Sequence, residues 1–387
     1  MTVEGFFPNI GLSISVFVPI IQGGAYIGEL TDRVSSWKHD IDSGMGYRLA
    51  SFGMTLITGE VDEWYHNGLG RHIVVYNQAH IPIFEGFINV ITLNYAGEIT
   101  KIGPLMEISN RVSVEYTPVD YTVYPPVRGA TTTTEIAEDL VSQTLYGILE
   151  TVLSAGDATA EDAEQCRDSF LVENAYPNIT GELNPGQLTI VPQMSVEIAG
   201  YGAWLERFIF DAATVGTIDL RTQILAVLAA EPNNILSTDY SLISANALLV
   251  PQSEDHNRSG MTVISGLVVL GDAADTRYTF GITAGRKVVY RPVPSTPKYE
   301  YRLSEGAISL HDYATLALVQ PWDIQVSNWI IFPDLLIGLS PIINLYHDPR
   351  AMFIESLSYS APYGIAFSGS RYSTLAQKLA KLSLGGI

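Results

Sequence analysis

Cysteine is almost absent from this chain. Its 387 residues include one, Cys166, so no internal disulfide can form. Cys166 lies in an acidic stretch expected to be helical, with no obvious activating base, and reads as incidental. Basic residues are also scarce: 21 Lys and Arg stand against 41 Asp and Glu, a net charge of −20. No Lys/Arg stripe of the kind that grips phosphates is present, which argues against specific nucleic-acid binding. The acidic balance suits a surface past which DNA slides, although solubility alone also accounts for it. Long hydrophobic runs are missing too. The segment Leu12–Ile21 is broken by Ser13, Ser15 and Pro19 and falls short of the roughly 20 residues a membrane-spanning helix needs. Glu4 stands where a signal peptide would be basic. The expectation is synthesis and retention in a reducing cytoplasm unless another system exports the protein.

Catalytic signatures are lacking as well. The seven histidines form no HExxH pair, and there is no Walker loop and no Gly-x-Ser-x-Gly elbow. Gly68-Leu69-Gly70 follows no strand and lacks a third glycine, so it reads as a helix stop. Phe367-Ser368-Gly369-Ser370 reads as a polar turn. Asp62 and Glu63 are adjacent, and neighbours on a helix do not face each other. His39, Asp40 and Asp42 suggest a polar loop before a metal site. Asp157–Asp162 lacks the glycine and terminal glutamate of a calcium loop. Asn178-Ile179-Thr180 matches a glycosylation sequon, a pattern short enough to arise by chance. No catalytic, cofactor or metal residue is assigned. A carboxylate pair brought together by folding keeps a hydrolase open. A binding module would show exposed aromatic platforms on loops, which the 21 tyrosines permit.

What the chain does contain is strands. Hydrophobic residues make up 47% and charged residues 16%, with a mean hydropathy of +0.18, which implies a large core or burial between subunits. Ile57–Thr117 is the organising stretch. Val61, Trp64, Tyr65 and Leu69 have helical spacing over Thr58–Leu69. Thr58 is the expected N-cap, Glu60 and Asp62 suit the helix dipole, and Gly68 and Gly70 the left-handed end. HIVVYN (72–77), IPIFEGFI (81–88) and VITLNY (90–95) read as successive strands. IPIFEGFI is apolar on both sides, so it is either a central strand or one awaiting a partner chain. In Arg111–Tyr116, Val112, Val114 and Tyr116 face one way and Arg111, Ser113 and Glu115 the other. Trp64, Phe84 and Phe87 are candidates for an interface, with the core as the plainer reading.

Upstream, LSISVF, Tyr26–Leu30 and Met45–Leu49 read as strands. Downstream, the Pro/Tyr-rich 116–129 is a connector. A helix is expected from Thr131 to Gly156, with Thr132 and Glu135 as its capping box and Ile136, Leu140, Val141, Leu145, Ile148, Leu149 and Val152 as a buried stripe. Another is expected over Thr159–Phe170, and Asn174–Gln193 reads as a loop. A helix over Tyr201–Ala213 presents Trp204, Leu205, Phe208 and Ile209. Asp219–Leu228 and Leu236–Val250 read as extended, although ILAVLAA suits a helix equally. Met261–Leu270 reads as a helix, and Arg277–Ile282 with Lys287–Arg291 as a hairpin. Residues 299–387 form a third β region, with Trp322, Trp329, Phe332 and Pro333 near its middle and a short helix through Leu375, Leu379 and Leu382.

The helix ending in Leu69-Gly70, followed by HIVVYN, IFEGFI and NRVSVEYT, resembles the N-terminal part of phage tail hub proteins, tail-tube-like proteins at the distal end of a tail. LTDRVSSWKHDIDSGMGYRLASF (30–52) and VLGDAADTRYTFGITAGRKVVYRPVP (269–294) resemble the same family. The resemblance implies an α+β, mainly β fold of tail-tube-like antiparallel β-barrel domains with helical and α/β insertions. The implied organisation is a tube-like barrel domain with one helix over 1–125, a helical and loop insertion over 126–195, an α/β domain with a hairpin over 196–298, and a second barrel-like domain over 299–387. It also implies a structural, non-enzymatic role. The chain would be a homotrimeric ring in the virion tail, made in the host bacterial cytoplasm. It would connect tail tube to tip or baseplate, partner other tail proteins (tube, spike or fibre), and leave a channel for DNA. A tail-associated cell-wall hydrolase or a carbohydrate- or receptor-binding tail protein is the alternative.

Overall fold

The computed structural model describes residues 12–42, 44–77, 80–183, 191–210, 217–251 and 257–293. Of the C-terminal region it describes 299–301, 307–312, 315–318, 342–345, 348–361 and 364–370. The N-terminal strands are β1 (Ser13–Phe17), β2 (Tyr26–Glu29), β3 (Val34–Asp42) and β4 (Gly46–Thr55). Helix α1 (Val61–Asn67) leads to β5 (His72–Tyr76), β6 (Pro82–Tyr95) and β7 (Glu98–Ile102). An insertion follows: β8 (Arg111–Asp120), β9 (Val127–Arg128), β10 (Thr132–Thr133), β11 (Ala137–Glu138), α2 (Leu140–Tyr146), β12 (Glu150–Ala158) and α3 (Ala160–Asn174). Strands β13 (Ile179–Leu183) and β14 (Gln193–Gly200) return to the main sheet. Next come β15 (Ile209–Phe210), β16 (Thr217–Asp219), α4 (Leu220–Ala229), β17 (Leu249–Pro251), β18 (Arg258–Ser259), α5 (Gly260–Leu270), β19 (Tyr278–Thr283) and β20 (Lys287–Pro292). The C-terminal strands are β21 (Tyr299–Tyr301), β22 (Ala307–Asp312), β23 (Thr315–Leu318), β24 (Ile342–Leu345), β25 (Asp348–Ala361) and β26 (Gly364–Ser370).

The mainly β, α+β character expected from the sequence is present, but the barrel is not closed. Among the described strands the main sheet runs β2–β1–β5–β6–β14–β4–β3–β25–β26–β23–β22 and does not return on itself. The C-terminal region joins this sheet directly, because β25 lies antiparallel to β3 from Ser356↔Asp42 to Ala361↔Trp37. Phe367–Ser370, expected as a turn, lies on β26 and pairs with β25. The C-terminal helix through Leu375 and the tryptophans Trp322 and Trp329 fall outside the described residues.

The two strands expected between Ile81 and Tyr95 are one strand with a bulge. Its N-terminal half pairs with β5 and its C-terminal half with β7, while β14 covers the other edge. In the ladder to β14, Glu197 faces Val90 and Ile198 faces Ile88, so Asn89 is the extra residue. One extra residue reverses the alternation of side chains beyond it. Phe84 and Ile88 before the bulge, and Ile91 and Leu93 after it, therefore all enter one core with Ile14, Trp37, Phe52 and Ile198. Phe87 enters a second core with Trp204, Phe208, Ile224, Ile264 and Tyr290. The double-sided apolarity of IPIFEGFI is thus met within the chain, and Trp64, Phe84 and Phe87 are all core residues. The Asn89 side chain fixes the kink by accepting from the Met106 N–H at 2.9 Å.

Local signals were overruled in several places. Thr58 does not cap α1. It lies in a 3-10 turn (Thr58–Glu60), and the Glu60 carboxylate accepts from the Ile57 N–H at 3.1 Å while pairing with Arg33. Gly68 stays right-handed at φ −77°, whereas Gly70 takes φ +78°. The long helix expected after Thr131 is absent. The chain instead forms β10 and β11 against β8, then the seven-residue α2, then β12 running parallel to β8. Asp139 starts α2 late by accepting from the Ser142 N–H at 2.9 Å, and Gly147 at φ +80° stops it. Tyr201–Glu206 is a 3-10 turn, and the Asp219 cap makes 220–229 helical where an extended stretch was expected. Leu236–Val250 is extended only at its end, in β17. His39 is on a strand, β3, and its ring is buried. Strand alternation puts Asp40 and Asp42 on the opposite face, so the three do not converge.

The β19–β20 hairpin touches the main sheet at one ladder position, Ile282 beside Gly46. Gly46 has φ +79°, and a Cβ there would lie 2.2 Å from the Ile282 carbonyl oxygen. Gly46→Ala is therefore expected to cost more than the ~1–2 kcal/mol of a left-handed alanine, read as a lower urea midpoint. An unchanged midpoint would show that the hairpin does not depend on this approach.

Candidate assembly surfaces and the buried polar junction

Where the two cores meet, a polar cluster is enclosed. Glu85 on β6, only 5% exposed, points toward the turn of the β19–β20 hairpin. It accepts from the Gly285 N–H, and its Oε1 lies 3.8 Å from Arg286 Nε and 3.5 Å from His72 Nε2 on β5. His72 Nδ1 is 2.7 Å from the Tyr201 hydroxyl. The hydroxyls of Tyr47 and Thr283 are buried at the same junction. Glu85, His72, Tyr201 and the hairpin turn thus tie four separate stretches of chain, by groups that would be costly to leave unpaired out of water.

Burial sets the protonation of the cluster. It pushes the Glu85 carboxyl up to about 7, against the opposing pull of Gly285 and Arg286. It pushes His72 down to about 4, with Arg286 adding to the effect. His39 is pushed down to about 3 by burial, and its Nδ1 accepts from Trp37 Nε1–H at 2.8 Å. Burial also raises the Tyr47 and Tyr201 phenols.

The remaining candidates from the sequence are dispersed. Asp62 lies 3.3 Å from His66, whereas Glu63 pairs with Arg71, whose guanidinium stacks 4.6 Å above Trp64. Asp157 pairs with Arg128, and Asp162 accepts from Thr159. Cys166 is exposed on α3, and Thr180 of the sequon is exposed on β13. The other well-buried carboxylate among the described residues, Glu231, accepts from the Asn233 and Ile235 N–H groups, a structural use. Among the described residues no three metal-ligating side chains gather, and no helix is long and apolar enough to cross a membrane.

The outer surface is more telling. The stripe expected to be buried after Thr131 is largely in solvent: Leu140 is 66% and Val141 64% exposed, with Ile136 and Leu145 also open. Asn110 sets where this face stands. Its carbonyl accepts from Asp139 N–H at 3.0 Å, and its side chain donates to the Gly147 carbonyl at 2.7 Å and to Ser142 at 3.1 Å. Beside α2 a small apolar cleft is lined by Ile20, Ile21, Leu145, Tyr146 and Trp204. It encloses about 10 Å³, about one water. A second apolar surface is the loop joining β8 to β9, where Tyr124 is 95% exposed and Tyr121, Val123 and Val127 are open too. Strands β2 and β13 are among those with one edge unpaired among the described residues.

The junction predicts a pH profile. Folding favours protonated Glu85, a contribution fully present below its ordinary value near 4.5 and lost as pH rises through about 7. Folding favours neutral His72 and His39, a contribution lost as pH falls from 6.5 toward 4 and 3 respectively. Between 4.5 and 6.5 the two histidines outweigh Glu85, so the contribution of these three groups alone should peak near pH 6.5, while Glu150, Glu206 and Glu231, also raised by burial, lose stability as pH rises. Glu85→Gln should raise the thermal midpoint relative to the parent at pH 8 and lose that advantage toward pH 4.5. An equal shift at both values would mean that Glu85 is not the titrating group.

No protein-family model and no curated protein matches the sequence. Solved structures to which this chain shows some similarity include the 43 kDa tail protein of prophage MuSo2 from Shewanella oneidensis. It is 10% identical at a TM-score of 0.43, covering 94% of this chain and 98% of that one. A tail protein from Neisseria meningitidis is 7% identical at 0.42, covering 95% and 98%. Prophage tail protein gp18 from Listeria monocytogenes is 9% identical at 0.41, covering 96% and 99%.

Proposed function

We propose that this chain is a structural subunit of a phage or phage-like tail, the distal hub ring that connects tail tube to tail tip or baseplate. It assembles as a homotrimer around a channel for DNA, is made in the bacterial cytoplasm and resides in the virion. Its partners are other tail proteins. The observation that carries this reading is how the three hub-like stretches of sequence come together. Residues 30–52 supply β3 and β4, residues 57–117 supply α1 and β5–β8, and residues 269–294 supply the β19–β20 hairpin. The hairpin meets β4 at Gly46 and β6 at Glu85, so the resembling pieces build one continuous unit, except β8, which heads the separate sheet of the insertion. Exposed apolar surfaces on the single chain, and a net charge that repels phosphate, suit a ring through which DNA passes.

Light scattering over a range of concentrations tests the ring. A discrete trimer with a central hole in negative-stain images is expected, and a monomer at every concentration would sink the reading. Phe84→Ala separates core from interface. Because Phe84 is enclosed within one chain, the variant should lose ~3–5 kcal/mol of stability, with the mass of the folded assembly unchanged.

A further inference from the structure

Two copies of a chain carrying −20 charges repel. Copies therefore meet at least cost on surfaces where like charges are few. Two exposed surfaces satisfy this. The loop Tyr121–Val127 and helix α2 through Gly147 contain no Asp, Glu, Lys, Arg or His. The flanking charges of the loop are already engaged, Asp120 by Thr122 and Arg128 by Asp157. The free edges of β2 and β13 fit less well, because they carry Glu29 and Glu182 and would bring like charges together.

The two apolar surfaces stand at opposite ends of β8. The loop springs from Asp120, where Val119 pairs with Arg128. Helix α2 is bound at both ends to Asn110, one residue before the strand begins. Nine residue steps at about 3.3 Å separate the ends by about 30 Å. The loop of one chain cannot fold back onto its own α2. A protruding surface and a receiving surface at different places on one molecule make a head-to-tail contact, the kind that gives a ring where its rotation closes and a filament where it does not.

Building on the ring reading above, we propose that the Tyr121–Val127 arm of one copy seats on the Leu140, Val141 and Leu145 face of α2 in the next. Tyr121 and Tyr124 supply broad apolar area on few rotatable bonds, and the helix face beside the cleft receives them. Each copy then uses one arm and one face, and in a closed ring neither is left in water.

The test uses the full chain. Tyr121→Ser with Tyr124→Ser blunts the arm, and Leu140→Ser with Val141→Ser blunts the face. All four side chains are exposed, so both variants should keep the parent's circular dichroism and melting. Each is expected to run as a monomer where the parent is a trimer. A third variant, Cys166→Ser with Tyr124→Cys and Val141→Cys, is treated with a short bismaleimide. The expected product joins positions 124 and 141, and their separation within one chain makes any such link intermolecular. If the parent forms rings but both double-serine variants still do, or if no 124–141 link forms, the proposal falls and the hub reading stands. If the parent is monomeric throughout, both fall together.

Discussion

Strand β6 has to bury both of its faces, and the rest of the molecule is arranged to let it. A strand with one core face can alternate apolar and polar residues; one with two cannot. The extra residue at Asn89 resolves the conflict, because it lets Ile88 and Ile91 face the same core although their spacing is odd. β14 on one edge and β5 and β7 on the other then close off the backbone. Once β6 is placed, the first core fills one side with α1, β3 and β4. The second core must form on the other, from the turn at Tyr201, helices α4 and α5 and the β19–β20 hairpin.

Glu85 is what that arrangement leaves over. A carboxylate in the middle of IFEGFI can face only the seam between the cores. It is tolerated because the hairpin turn brings the Gly285 N–H and the Arg286 guanidinium to it. Removing one partner would leave a buried group unpaired, a larger penalty than any gain from making the bond. The seam thus fixes how the hairpin sits as well as holding it.

Local pattern made several elements legible in the sequence. β5, helix α5 and the β19–β20 hairpin follow their apolar spacing, and α3 forms in the acidic stretch behind its Thr159 cap. The double-sided apolarity of 81–88 fits either a central strand or one awaiting a partner chain, and the structure shows the first. What stayed hidden depends on distant partners. The bulge is visible only in the register with β14, a hundred residues on. The Glu85–Gly285 tie spans 200 residues. The residues after Thr131 have helical spacing, yet β8 draws them into short strands by offering a free edge. Their apolar residues do form a stripe, but most of it faces outward. A buried core and a surface between subunits use the same residues, and spacing alone does not separate them. The lone Glu in IFEGFI was the one local sign of the junction.

Asn110 has no exposed surface, yet it holds both ends of α2 and the start of β8. The helix is only seven residues long, too short to persist in isolation. Its orientation is therefore inherited from tertiary ties, the buried Asn110 amide together with Ser142 to the Ala175 carbonyl and Gln22 to the Leu145 carbonyl, rather than from apolar packing along its length. The outward side chains are free to drift in identity while their aim stays fixed. A change at the amide would redirect the whole face without altering one atom of its chemistry.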